Sequence, residues 1–360
     1  MKRPDARLPV DTLYVLGAGA SHSLSHLNTV RSDAIKYITP LDKDFLSRIN
    51  ANILKKGWKH TSTKKLLSDW LDEGDVFAEG LEKAIIKRVS QFDFLSNLNP
   101  ERARRKCSNE DYLNHIVHLV TAFLLRCKSN KTGATKKFIN HVFPIGNKEE
   151  FKNRIVTFNY DTLIEKPLLE RGISMRKIYF DRIVRNIEEG FSRTNAQKHI
   201  NPLIIKLHGS VNWRCERKNF NELIFGNPGK SKYPIWVCDQ IPNPTDNNSP
   251  LIIPPIPNKP ITRSILFKFL WTTAFEYLHE AKNLVIVGYS CPQTDTLART
   301  MFTHFKNKKI ETISIVDPNV ISLKNSKEMI NPKQISQNVL WKYYGSFNEY
   351  IKLETNSLKN

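Results

Sequence analysis

The sequence predicts an α/β protein: a parallel sheet with helices on both faces, carrying a large, mostly helical insertion and a second, Pro-rich loop insertion. Three observations lead there. Short apolar, strand-like runs alternate with helical segments, the pattern of parallel strands joined by crossovers. Three of those runs end in polar or glycine-rich motifs: Gly17-Ala18-Gly19-Ala20-Ser21, Thr157-Phe158-Asn159-Tyr160-Asp161 and Lys206-Leu207-His208-Gly209-Ser210. Polar residues where a strand gives way to a loop mark the carboxyl edge of a sheet, and open α/β folds bind ligands there.

The first strand is predicted at 12–16, and 18–24 opens a helix. Between about Ile35 and His141 the pattern changes. Leu66-Leu67-Trp70-Leu71, Phe77-Leu81-Ile85-Val89 and Tyr112-Leu113-Ile116-Val117-Val120-Phe123-Leu124 recur at helical spacing with no strand-like run among them. Alternation then resumes: strand 154–158, helix 162–171, strand 176–180, strand 203–207. Residues 212–260 are expected to be loop-rich, because Pro242, Pro244, Pro250, Pro254, Pro255, Pro257 and Pro260 oppose long regular elements. A helix over 264–281 carries Phe267, Leu270, Trp271, Ala274 and Leu278 on one face. Strand 283–287, helix 294–306, strands 312–316 and 339–343, and helix 347–353 complete the chain. The organisation implied is a Rossmann-like domain from 8–34 and 151–355, a helical insertion at 35–150 and the Pro-rich insertion at 212–262.

At 360 residues, with 40% apolar and 10% aromatic side chains, the chain can bury a sizeable core. No run approaches the roughly 18 apolar residues of a membrane span. Lys2-Arg3 followed by Leu13 to Ala20 imitates a signal peptide, but Pro9 and Asp11 interrupt it. Five cysteines (Cys107, Cys127, Cys215, Cys238, Cys291) form no C-x-x-C pair, which disfavours a disulfide framework or a four-thiolate zinc site. A cytoplasmic location is expected. The net charge of +20 raises the prospect of a polyanionic partner. The basic residues are scattered, at 55–56, 64–65, 102–106, 136–137, 182–193 and 306–309, and match no DNA-reading motif. A solvated basic face, or a contact with an acidic partner, is favoured over specific nucleic-acid recognition.

A glycine turn running into a helix N-terminus brings backbone N–H groups and the helix dipole toward a pyrophosphate. The turn at Gly17 fails the dehydrogenase fingerprint, whose sixth position is His22 here, and no acid follows on a clear second strand. Taken singly, Asp161 reads better as an Asx turn or helix cap than as a functional group, and His208 reads likewise as a buried histidine bonded to backbone. Their shared sheet edge argues for a nucleotide site with chemistry in it.

In that order, Gly17-Ala18-Gly19-Ala20-Ser21, Thr157-Phe158-Asn159-Tyr160-Asp161, Lys206-Leu207-His208-Gly209-Ser210 and Val287-Gly288-Tyr289-Ser290 resemble the sirtuin-like NAD-binding domain. The likeness is closer to its bacterial antiviral-defence branch than to the protein deacylases. The resemblance implies that the backbone of Gly17, Ala18, Gly19 and Ser21 holds the NAD pyrophosphate, with Thr157 part of the cofactor site. Asn159 would bond the nicotinamide ribose or the attacking water, Asp161 the carboxamide, and His208 would be the general base. Ser290, after Gly288, would contact phosphate or ribose, and Asp317 the adenosine ribose. Residues 39–45, with Asp42 and Asp44, would correspond to the family's mobile cofactor loop. Deacylase sirtuins carry a zinc module with two C-x-x-C pairs after the histidine motif, whereas Cys215 and Cys238 stand 23 positions apart without doublets.

The residue types suit the reaction. Cleaving the nicotinamide–ribose bond passes through an oxocarbenium-like state. Nicotinamide leaves neutral from a cation, so the enzyme must chiefly position water and take its proton. A histidine with an ordinary pKa of ~6.5 suits that task. The resemblance thus implies NAD⁺ hydrolysis to nicotinamide and ADP-ribose, with NAD as substrate and no metal. It further implies an antiviral setting and a self-assembled or sensor-bound state, the sensor being a HerA-like ATPase or an Argonaute-type protein. Two rivals are a deacylase or ADP-ribosyltransferase, and a non-catalytic nucleotide-binding subunit that engages nucleic acid.

Overall fold

The computed structural model describes residues 10–25, 41, 45, 80–87, 90, 109–125, 127, 133–145, 151–179, 202–216, 235–237, 247–254, 264–292 and 295–357. Six strands form one parallel sheet: β1 (Thr12–Leu16), β2 (Arg154–Thr157), β3 (Ile204–Lys206), β7 (Asn283–Val287), β8 (Thr312–Val316) and β9 (Leu340–Tyr344). Their order is β3-β2-β1-β7-β8-β9. All five pairings are parallel. The chain steps outward from β1 to β3, returns to the middle, and steps outward again to β9. With crossovers of the usual right hand, stepping outward in opposite directions from the middle places helices on both faces, the arrangement of a Rossmann-like fold. The strands are near-continuous Val, Ile and Leu because both faces are covered; Leu13, Val15, Ile155, Leu284 and Ile313 are wholly buried.

Among the described residues the helices include α1 (Ala18–Ser25), α2 (Asn109–Leu124), α3 (Ala134–Val142), α4 (Glu165–Glu170), α5 (Met175–Ile178), α6 (Ile265–Glu280), α7 (Thr296–His304), α8 (Ile321–Met329) and α9 (Phe347–Ser357). Where described, the region between β1 and β2 is helical, including 81–87. The α2 helix packs on the second sheet, and α3 packs on α1 and α4. The expected helical runs at 66–71, 77 and 89, and the loop acids Asp42 and Asp44, lie outside the described residues.

Two expectations fail, and one helix was not foreseen. Of the strand expected at 176–180, the described residues 176–179 are not a strand: the Ser174 carbonyl accepts from the N–H groups of Lys177 and Ile178, which closes the short helix α5. A short apolar run carries no period long enough to separate the two states. The Pro-rich stretch is not only loop, because β4 (Gly209–Glu216), β5 (Ile235–Val237) and β6 (Asn248–Ile252) form an antiparallel sheet of order β5-β4-β6. Pro250 is accommodated on the edge strand β6, opposite Arg214 and beside a register shift. Finally, α8 has no counterpart in the sequence reading. Its buried residues are Ser322, Ser326 and Met329, and two serines at helical spacing give no apolar stripe.

Candidate active site

The register puts Leu16, Thr157, Lys206, Val287, Val316 and Tyr344 side by side as the last strand residues. The motifs that follow them therefore share one edge. The strand order reverses between β1 and β7, the position at which such sheets open a ligand crevice.

Gly17 and Gly19 meet Gly288 there, backbone to backbone. Gly17 N–H donates to Val287 O at 3.0 Å and Gly19 N–H to Gly288 O at 2.9 Å. A Cβ on Gly17 would stand 2.5 Å from Gly288 O, and one on Gly288 would stand 2.2 Å from Ala20 N. Gly288 also has φ +55°, a left-handed conformation that glycine adopts without penalty. Ala20 N–H closes the turn on Gly17 O. Of residues 17–21, Ala18 alone is exposed. With three amides committed inside the protein, an anion would meet the turn at Ala18 and through the dipole of α1.

Asn159 joins this turn. Its Nδ2 donates to Gly17 O at 2.7 Å and to Ser21 Oγ at 2.8 Å. Both amide hydrogens are thereby engaged, and Oδ1 is the atom left to accept from a ligand. Thr157 Oγ1 accepts from Asn159 N–H and donates to Leu16 O, which fixes the entry to the loop.

His208 stands in the turn two residues after β3, buried in an aromatic surround. Its ring centroid lies 5.6 Å from Phe158, 6.0 Å from Trp271 and 6.1 Å from Tyr160. Its carbonyl accepts from Ile253 N–H, Trp271 Nε1 donates to Leu207 O, and the Tyr160 hydroxyl donates to Ile253 O. Gly209 follows at φ +82°, where a Cβ would meet Leu251 O at 2.2 Å; the chain turns directly into β4. On the far side, Phe158 stacks on Tyr289 at 4.4 Å and 13°. The Phe158 ring is thus a wall shared by the histidine and the loop after β7.

Asp161 is buried, and its Oδ1 accepts from Leu163 N–H in an Asx turn, so α4 begins only at Glu165. Asp317 Oδ1 similarly accepts from Asn319 N–H, with the Asp317 side chain half-buried at the edge. Ser290 is exposed, and its carbonyl accepts from Asn325 Nδ2. The structure brings Asn159, Ser21 and the glycine turn into direct contact, and His208 within ring contact of Phe158. Ser290 and Asp317 sit on the same edge farther along, beyond β7 and β8.

Burial and the nearby Asp295 carboxylate push the Tyr289 hydroxyl well above its ordinary range. Burial likewise pushes the Cys215 thiol up to about 12 and the Cys291 thiol up to about 11, so both are protonated at neutral pH. Among the described residues no group of three or more His, Cys, Asp or Glu is placed to hold a metal. Nor is any described helix long and apolar enough to cross a membrane. Cys107 and Cys238 lie outside the described residues.

The aromatic wall was missed from sequence. Phe158 and Tyr160 flank Asn159 in the same motif and offered a signal. Tyr289 stands in the Val287–Ser290 motif and Trp271 on the apolar face of the 264–281 helix, but nothing in the sequence shows that both pack against Phe158.

A family profile described as SIR2-like domain matches residues 153–346, more than half of the chain. The chain belongs to the SIR2-like domain family. The matched range begins at β2 and so omits β1 and its glycine turn, which the sheet places at its centre. No curated protein matches the chain. Among solved structures, a Sir2 homologue histidine-to-asparagine mutant in complex with ADP-ribose is similar at 11% identity and TM-score 0.41, covering 97% of this chain and 93% of that one. A Sir2 homologue triple mutant in complex with 2'-O-acetyl ADP ribose is similar at 10% identity and TM-score 0.41, over 97% and 92%. A structure titled for sirtuin substrate affinity is similar at 12% identity and TM-score 0.38, over 96% and 93%.

Proposed function

We propose that this chain is a sirtuin-type NAD⁺ glycohydrolase that releases nicotinamide and ADP-ribose. The observation that carries the reading is Asn159. With both amide hydrogens spent on Gly17 O and Ser21 Oγ, its Oδ1 can only accept, from a ribose hydroxyl or from water. His208 lies beyond the Phe158 ring from Tyr289, in an aromatic surround that limits water around the reacting carbon.

In this reading the pyrophosphate lies at the Ala18 end of α1, and the adenosine end runs toward Ser290 and Asp317. Asp161 is the carboxylate nearest the carboxamide. The C–N bond to nicotinamide breaks with its electron pair going to the ring nitrogen, which leaves neutral. Water adds to the ribose carbon held by Asn159, and its proton passes to His208. General-base help of this kind is worth on the order of 10²–10⁴-fold. Water is preferred over a protein acyl group as acceptor because the sequence lacks the paired C-x-x-C module of the deacylases. The physiological setting in this reading is antiviral defence by NAD depletion in the cytoplasm. Activation is through self-assembly or a sensor partner, a HerA-like ATPase or an Argonaute-type protein, and the basic surface provides the contact.

The test is nicotinamide release from NAD⁺ by the wild type, Asn159→Ala and His208→Ala. The reading expects both variants to lose at least about 100-fold. Equal release by all three sinks it. Transfer of an acyl or ADP-ribosyl label to protein favours the transferase instead.

A further inference from the structure

Behind the site lies an ion pair that the proposed chemistry does not use. The side chains of Lys206 and Glu165 are 0% and 1% exposed, and Nζ stands 3.0 Å from Oε1. Lys206 also donates to the Asp161 carbonyl. The Tyr179 hydroxyl donates to the same Glu165 Oε1 at 2.6 Å.

The connections matter more than the charges. Lys206 is two residues before His208, and Asp161 is two residues after Asn159. One ammonium therefore ties the strand that carries the histidine to the loop that carries the asparagine, while Glu165 and Tyr179 hold that ammonium from α4 and the end of α5. The loop 158–164 has no regular structure of its own. Its other ties include the Asn159 amide, the Asx turn of Asp161 and Val211 N–H to Tyr160 O. Among these, the Lys206 bond alone joins it to a β3 side chain. Stability does not explain the pair, since a buried ion pair is commonly no better than apolar side chains of equal volume.

We infer that Lys206 and Glu165 are positioning residues that set the spacing between Asn159 and His208. The kinetic consequence rests on the glycohydrolase reading; the structural one does not. The experiment is the double variant Lys206→Met/Glu165→Leu, which removes both charges together, with Tyr179→Phe as a milder companion. Three quantities are measured on the full chain: the thermal midpoint, amide hydrogen exchange in 158–164, and nicotinamide release.

The double variant should lower the midpoint less than Lys206→Met alone, the residual loss coming from the bond that the Asp161 carbonyl no longer accepts. Exchange in 158–164 should accelerate about tenfold while β1 and β7 stay protected. In an active protein, kcat should fall about 100-fold with KM little changed, as expected when reacting groups are misplaced rather than binding lost. Tyr179→Phe should show the same exchange pattern at about threefold. Wild-type exchange in 158–164 in a folded double variant overturns the inference; should that variant not fold, unchanged exchange in Tyr179→Phe overturns it. A double variant that releases nicotinamide as fast as wild type also overturns it, and spares the hydrolase reading. A wild type inert toward NAD⁺ counts against the hydrolase reading, and the exchange result decides the positioning role by itself.

Discussion

The two edge strands of the sheet carry the same three-residue arrangement in opposite surroundings. On β3, Lys206 and the Tyr179 hydroxyl converge on Glu165 Oε1. On β9, Lys342 and the Tyr344 hydroxyl converge on Glu354 Oε1. The Lys–Glu distances are nearly equal, 3.0 and 2.9 Å. Exposure separates them: 0% and 1% at β3 against 31% and 26% at β9. Water screens the second pair and leaves it replaceable. The first pair has given up its hydration, so each partner depends on the other, and the positioning role inferred above gives a reason for keeping it beside Asn159 and His208.

The comparison breaks most sharply under single charge removal. Lys206→Met strands Glu165 in the interior and should cost about 3–5 kcal/mol in chemical denaturation. Lys342→Met should cost at most about 1 kcal/mol by the same measurement. Equal losses would show that burial is not the difference between the two edges. Between these extremes falls Gly288→Ala, on the central β7. The left-handed φ adds about 1–3 kcal/mol, and the overlap with Ala20 pushes the glycine turn open. Calorimetric titration with ADP-ribose should then show affinity lost beyond what the midpoint shift predicts.

The smallest effect is in the acid limb. Burial alone would raise the Glu354 carboxyl, but hydrogen bonds from Tyr344 and Lys342 and the Lys342 charge hold it below its ordinary 4.5. A depressed carboxyl gives stability that is complete above pH 4.5 and is lost as pH falls through the lower folded-state value. Lys342→Met should flatten the stability profile in that window. An unchanged acid slope would remove Lys342 from the account.

Much of this was legible in the chain, for identifiable reasons. The runs at 12–16, 154–157, 283–287 and 312–316 are buried on both faces, so their centres are mostly Val, Ile and Leu and they give way to polar motifs at their ends. That contrast revealed the sheet edge and placed Asn159 and His208 on it. The second sheet was hidden by proline content, although Cys215 and Leu251 are core residues of β4 and β6. The α8 helix was hidden because Asp317 and Asn319 cap its approach with side-chain bonds while serines line its buried face. Lys206 reads as an ordinary charge before a histidine. Only the fold discloses that it points at Asp161 and Glu165, because its partners stand 41 and 45 positions away.

The meeting of Gly17, Gly19 and Gly288 bears on how the proposed site can be redesigned. Main chain from two separate loops forms the floor, leaving no side chain there to exchange for a larger or smaller one. Randomising 17 and 288 should return glycine almost alone. New ligand preferences would have to be sought in the walls, at Phe158, Tyr160 and Trp271, where rings rather than peptide groups define the space.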